Sequence, residues 1–164
     1  MERLIEARKR LVFDEFFLFI MGMQYQKEKR TRQENRFVME HPEFVEDLIQ
    51  KLPYELTGAQ RRALHDVTEN MQGPYAMQRL IQGDVGSGKT ILAFLAMAWC
   101  AQNGYQSAIM APTEVLAQQH YETFQKLCEQ FGLHFPVILL TGSMTAKQKR
   151  SAYERLELYE NALI

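Results

Sequence analysis

The run Gly83-Asp84-Val85-Gly86-Ser87-Gly88-Lys89-Thr90 is where this 164-residue chain concentrates its chemistry. It fits the pattern G-x-x-x-x-G-K-[ST]. With Gly at about 7% of average usage, a chance match somewhere in a chain of this length is roughly one in two hundred. The residue types define what the loop can do. Glycines let the backbone wrap closely and aim successive N–H groups at phosphate oxygens. A helix beginning near Gly88 would add its positive N-terminal end. Lys89 can neutralise charge on β- and γ-phosphates, and the Thr90 hydroxyl can ligate Mg²⁺. The expectation is a phosphate-binding loop spanning Gly83, Asp84, Val85, Gly86, Ser87, Gly88, Lys89 and Thr90. Lys89 and Thr90 are the two side chains expected to act on the reacting phosphates.

A P-loop hydrolase normally supplies a second acidic group for Mg²⁺ from the end of another strand. The aspartates here are Asp14, Asp47, Asp66 and Asp84, and none follows the loop. The later glutamates fall near helix starts or within helical patterns. The chain is therefore expected to bind nucleotide phosphate and to end before the strand that would carry the metal acid. His41, His65, His120 and His134 lack ligand spacing. Cys100 and Cys128 sit in apolar helical contexts and read as buried free thiols of a reducing compartment.

The elements that must position the loop follow from periodicity and breakers. Met77–Gln82 is a strand candidate before the loop, and residues 89–102 form a helix apolar on all faces. Ser107–Ala111 and Pro136–Leu140 read as strands. Residues 114–131 read as an amphipathic helix, and 146–159 as a helix capped by Thr145 with Gln148. Ala162-Leu163-Ile164 reads as the start of a further strand. Alternating strands and helices predict an α/β fold with a parallel sheet covered on both faces. Upstream, Thr57 with Gln60 marks a helix start, and a shorter helix carries Pro42 in its first turn. Residues 2–35 hold no Pro and a single Gly, and predict one long helix. Its middle, Leu11 to Tyr25, is apolar almost all round and must be covered on more than one side. That favours a connector lying between two domains over a core helix of this domain.

Charge divides the chain. Residues 1–36 carry a surplus of three positive charges, residues 37–76 a surplus of four negative, and 77–164 are balanced. The net charge of −1 argues against a histone-like basic coat. No run approaches the roughly 20 apolar residues needed to cross a bilayer, and Phe16–Met23 has the wrong flanks for a signal peptide. The expected compartment is the cytoplasm.

Three segments, taken in order, resemble successive motifs of superfamily 2 helicases. They are Leu52-Pro53-Tyr54-Glu55-Leu56-Thr57-Gly58-Ala59-Gln60, Gln82 through Thr90, and Ala111-Pro112-Thr113-Glu114-Val115-Leu116-Ala117. Leu140-Thr141-Gly142-Ser143 resembles the next motif. Within that superfamily the chain looks most like the branch-migrating RecG family. Ala7-Arg8-Lys9-Arg10-Leu11-Val12-Phe13-Asp14-Glu15-Phe16 resembles the helix joining that family's DNA-binding wedge to its motor.

The resemblance implies an ATP-dependent DNA helicase that remodels branched or duplex DNA in recombination and repair, with ATP and Mg²⁺ as cofactors. It implies a connector helix over 1–36 and a helical segment with the adenine motif over 37–76. Residues 77–164 would be the N-terminal part of a RecA-like P-loop domain, truncated before its Asp-Glu box. Gln60 would read the adenine edge, although the same spacing serves a capping box with Thr57. Pro112, Thr113 and Glu114 would touch the DNA backbone, against a plain helix start with Thr113 as N-cap. Thr141, Gly142 and Ser143 would offer small donors to a phosphate, against a simple loop. Lys147, Lys149 and Arg150 read as a solvated basic face. The isolated chain is expected not to hydrolyse ATP, and to self-associate through the residue 11–25 segment. The alternative reading is a complete small P-loop protein that binds nucleotide or DNA without hydrolysis. A small nucleotide kinase also fits the length, but that class usually needs an acidic substrate-site residue and an Arg-rich lid, and the sequence shows neither.

Overall fold

Proline placement and side-chain caps set the helix boundaries. The computed structural model describes residues 2–29 and 33–164, with side chains described for 5–26 and 33–164. Among them run six helices: α1 (Glu2–Lys29), α2 (Glu43–Gln50), α3 (Gly58–Gln72), α4 (Lys89–Gln102), α5 (Glu114–Phe131) and α6 (Ala146–Leu158). Pro42 caps α2. Thr57 and Thr145 each close a capping box, with Gln60 and Gln148 respectively. Gly132, at φ 69°, ends α5 in the left-handed conformation that glycine adopts without strain.

The chain divides into two units, residues 1–33 and 34–164. The first is α1, about 42 Å long at 1.5 Å per residue. Successive turns meet at i, i+4 spacing. Arg10 pairs with Asp14 at 3.3 Å, and the Phe13 and Phe17 rings stack 6.0 Å apart. Phe16, Phe17, Phe19 and Ile20 are exposed. The long helix expected through residue 35 is shorter, because Glu34 forms an antiparallel bridge with Tyr75 and the Asn35 amide donates to Pro74 O. Residues 1 and 30–32, which that expectation also covered, lie outside the described residues.

In the second unit α4 is the central element. Its sequence offers no polar face, so burial on several sides is the only stable placement. It packs against α2 and α3. Phe94 meets Phe124 and Phe131 of α5 at ring separations of 5.2 and 5.9 Å. Phe94, Leu95, Ala98 and Trp99 are fully buried. Side-chain hydrogen bonds tie the entry strap to this core. Trp99 Nε1 donates to Glu40 O at 2.7 Å, and Asn103 Oδ1 accepts the Glu40 amide at 2.8 Å. Asn35 Nδ2 reaches both Met71 O and Gly73 O.

The expected parallel sheet is corrected. Among the described residues no sheet forms, and pairing is confined to isolated bridges. Leu163 bridges in parallel to both Ser107 and Val137. Ile109 N donates to Ile164 O at 2.8 Å, and Ile138 N to Leu163 O at 2.8 Å. The physical reason is the spatial order of these segments. Residues 162–164 lie between 107–109 and 136–138, so the two longer extended segments do not pair with each other. The middle segment contributes too few residues to build a ladder.

Met77–Gln82 takes part in none of these pairings, and Leu80 is 88% exposed. It is held from one side instead, where Arg79 reaches Asp66 at 2.7 Å and Asn70 at 3.1 Å on α3. The extended segments still separate two apolar clusters. Val137 and Leu163 face the α2–α5 core, while Ile138 and Ala162 face Ala152 and Leu156 of α6. Both cysteines are free, Cys128 buried and Cys100 half-buried, and burial pushes each thiol up to about 11. No helix among the described residues is long and apolar enough to cross a membrane.

Candidate nucleotide and DNA sites

The expected phosphate loop is a turn leading into α4. Gly86 and Gly88 stand at φ 81° and 78°, a region where an L side chain is strained. Gly88 is the N-cap of α4. A Cβ at Gly83 would lie 2.7 Å from Ser87 Oγ, so a side chain there would make the Ser87 hydroxyl rotate away. The Ser87 amide donates to Asp84 O at 3.1 Å, which tightens the turn. Lys89 Nζ folds back into this turn. It donates to Gly83 O at 2.8 Å, Asp84 O at 2.7 Å and Ser87 Oγ at 3.2 Å. All three acceptors are loop oxygens, so the ammonium sits where phosphate oxygens could take their place. Thr90 follows in the first turn of α4.

Gln60 belongs to the same constellation. Its Oε1 accepts the Thr57 amide at 2.8 Å, and Thr57 Oγ1 accepts the Gln60 amide at 3.3 Å. Its Nε2 donates to Ser87 O at 2.8 Å. A Cβ built on Gly88 would collide with that Nε2. The capping box is thus present, and the same carboxamide also rests on the phosphate loop. A carboxamide has two lone pairs and two N–H groups. One of each is engaged in these bonds, which leaves one of each for a base edge.

The second constellation joins α5 to the 141–144 loop. Thr113 caps α5 by accepting the Leu116 amide. Glu114, in the first turn, accepts the Ser143 amide at 2.8 Å through Oε1. The Ser143 hydroxyl and amide, the Gly142 amide and the Lys149 charge hold the Glu114 carboxyl below its ordinary range. Thr141 Oγ1 and Ser143 Oγ lie 3.3 Å apart, and Thr141 N donates to Met144 Sδ at 3.4 Å. Pro112 and the P-loop's Val85 are exposed.

Gln60 therefore comes together with Ser87, Gly88 and the rest of the P-loop, and Glu114 with Gly142 and Ser143. The two groups form separate networks, Gln60 bonding to Ser87 and Glu114 to Ser143. Sequence reasoning missed two contributors. Lys149, read as part of a solvated face, donates to Gly142 O at 2.9 Å. Arg79 anchors the segment leading into the loop, and the i, i+4 spacing of Asp66 and Asn70 on one helix face was the available signal.

Among the described residues no three His, Cys, Asp or Glu side chains cluster for a metal ion. The groups the loop could offer a polyphosphate are its backbone amides, the Lys89 ammonium and the Thr90 hydroxyl. For Mg²⁺ it offers Thr90 as a single side-chain ligand, the remainder being left to phosphate oxygens and water.

The structure thus seats a glycine-rich loop at the start of the buried helix α4, with the Gln60 carboxamide docked on the loop backbone. The model of the DEAD/DEAH box helicase family matches residues 57–161, and the chain belongs to that family. Within it, the chain is similar to proteins named ATP-dependent DNA helicase RecG. It is 45% identical to the one from Synechocystis sp. over 94% of this chain and 18% of the relative. It is 42% identical to the one from Aquifex aeolicus over 91% of this chain and 19% of the relative. A solved structure described as RecG bound to a three-way DNA junction matches with a TM-score of 0.76 at 34% identity. That match covers 98% of this chain and 22% of the solved one. The chain thus spans about a fifth of the length of these relatives.

Proposed function

We propose that this chain is the nucleotide-binding part of the motor of a RecG-like, ATP-dependent DNA helicase, acting in the cytoplasm on branched DNA. The observation that carries the reading is Gln60 seated on Ser87 O while Lys89 closes the phosphate loop beside it. One carboxamide touching both a helix cap and the phosphate cradle can report the base and the phosphates to the same loop. Similarity to RecG proteins over nearly the whole chain supports the assignment to that family of motors. The likeness to a junction-bound structure supports DNA as the partner.

In this reading the loop amides and Lys89 bind the β- and γ-phosphates, Gln60 holds the adenine edge, and Thr90 ligates Mg²⁺. Bound Mg²⁺ would neutralise developing charge on the phosphates. Lys89 exchanges its three loop oxygens for phosphate oxygens, so nucleotide binding opens the self-closed loop. Pro112, Thr113 and residues 141–143 form the surface offered to the DNA backbone, with Glu114 holding the 141–143 loop through the Ser143 amide.

The test is binding of a fluorescent ATP analogue to the 164-residue chain. Lys89→Ala should weaken it at least about tenfold, as expected for losing a charge-assisted contact. Unmutated chain should prefer ATP to GTP, and Gln60→Ala should erase that preference. Equal affinity of the unmutated chain for the two nucleotides would remove the adenine role and leave the cap. Turnover of ATP by the chain alone, abolished in Lys89→Ala, would show that an acid already present serves the metal.

A further inference from the structure

One peptide group in the 141–144 loop is gripped at both poles. The N–H of Ser143 and the C=O of Gly142 belong to the same peptide unit. Glu114, from the start of α5, accepts that N–H at 2.8 Å. Lys149, near the start of α6, donates to that C=O at 2.9 Å. An anion therefore sits on the positive end of the peptide dipole and a cation on its negative end. Charge-assisted bonds of this kind are shorter and stronger than neutral ones. Gly142 is under a matching constraint, because a Cβ there would lie 3.0 Å from Glu114 Oε1.

This geometry conflicts with Glu114 as a direct DNA-backbone contact. A carboxylate facing a phosphate diester is repelled, and this one is already committed to Ser143. It conflicts equally with Lys149 as a merely solvated charge. We propose that Glu114 and Lys149 are positioning residues that fix the Gly142–Ser143 peptide plane between α5 and α6, so that the loop presents the Thr141 hydroxyl to a DNA phosphate. The inference rests on the reading of 141–143 as a DNA-backbone surface. It adds which residues set that surface and which touch DNA.

Two consequences separate positioning from contact. First, Glu114 and Lys149 act on one peptide, so their effects do not add. Second, a lysine that neutralises a phosphate carries a share of the salt dependence, whereas one that binds a carbonyl does not.

The experiment measures binding of a labelled three-way DNA junction to the 164-residue chain by fluorescence anisotropy, across a salt series. Glu114→Ala and Lys149→Ala should each weaken binding about tenfold, with the double variant no weaker than the worse single. Glu114→Gln, which keeps an acceptor oxygen, should stay within about threefold of the unmutated chain. The slope of log affinity against log salt should be unchanged in Lys149→Ala. Additive losses, a slope reduced by about 0.7–0.9 in Lys149→Ala, or tighter binding by Glu114→Ala would overturn the proposal in favour of direct contacts.

The clamp has a readout of its own in the Ser143 amide proton. It should titrate with the Glu114 carboxyl, below the ordinary glutamate range, and lose that titration in Glu114→Gln. Lys149 is the charged group facing Glu114 from α6, so Lys149→Ala should move the inflection upward. An unmutated chain that binds no junction while its Ser143 amide titrates would remove the DNA reading and leave the clamp standing. A Ser143 amide blind to pH would overturn the clamp itself.

Discussion

Replacing Gly88 by alanine should destabilise this chain more than the same change at Gly86, although both glycines have nearly the same backbone conformation. At φ 81° Gly86 has open space within 4 Å of where a Cβ would stand, so Gly86→Ala brings only the left-handed penalty, about 1–2 kcal/mol. At φ 78° Gly88 carries the same penalty, and its new Cβ also strikes the Gln60 carboxamide. Gln60 must then release Ser87 O, a net loss of about 0.5–1.5 kcal/mol for one hydrogen bond. It also strains its half of the capping box with Thr57, where a full cap is worth about 0.5–2 kcal/mol. Both bonds are exposed, so the low ends apply, and Gly88→Ala should total about 2–3 kcal/mol. Urea unfolding can be followed through Trp99, the single tryptophan, which is fully buried on α4. The decisive measurement is the cycle with Gln60→Ala. Once the colliding amide is gone, Gly88→Ala should fall to the Gly86→Ala level, giving a coupling of about 1 kcal/mol. Equal losses at the two glycines, or additivity within about 0.5 kcal/mol, would refute the claim that Gln60 is seated against the loop.

Two further outcomes are expected. The thiols of half-buried Cys100 and buried Cys128, raised to about 11, should be about one part in a thousand ionised at pH 8, so iodoacetamide should label native chain slowly and unfolded chain readily. The sign follows from neutral thiols being favoured by burial: stability is full below the unfolded pKa near 9 and declines as pH rises through it, while fast labelling of folded chain at pH 8 would contradict the burial. The exposed apolar side chains of α1, Phe16, Phe17, Phe19 and Ile20 among them, should drive association at micromolar concentration, with Phe16→Glu and Phe19→Glu returning the chain to monomer in sedimentation velocity. A monomeric unmutated chain would refute it.

Local chemistry made much of this protein legible from its residues alone. Thr57 with Gln60 and Thr145 with Gln148 specify capping boxes because a short side chain and a reciprocating amide three residues on satisfy each other without outside help. The Gly-rich loop announces itself for the same reason, since its conformation and its lysine are encoded within eight residues. The all-apolar run from Ile91 to Ala101 dictates a helix buried on several sides, and α4 is that helix.

What tertiary structure decided were the relations between segments distant in sequence. Extended segments near 107, 137 and 163 were readable, but their lateral order was not. A strand's side-chain pattern says which face is buried and nothing about which neighbour it will have, and Leu163 came to lie between Ser107 and Val137. The sheet expected from alternating elements therefore reduced to bridges. Long polar side chains were equally opaque. Lys149 sits in a basic cluster that reads as solvated, yet its flexible stem reaches Gly142 O. Glu114 stands in a motif whose spacing suggests a helix start, and its bond to Ser143, 29 residues away, could not be read from that spacing. Such bonds need only that two surfaces approach within about 3 Å, and that approach is set by how α5 and α6 pack around the extended segments between them.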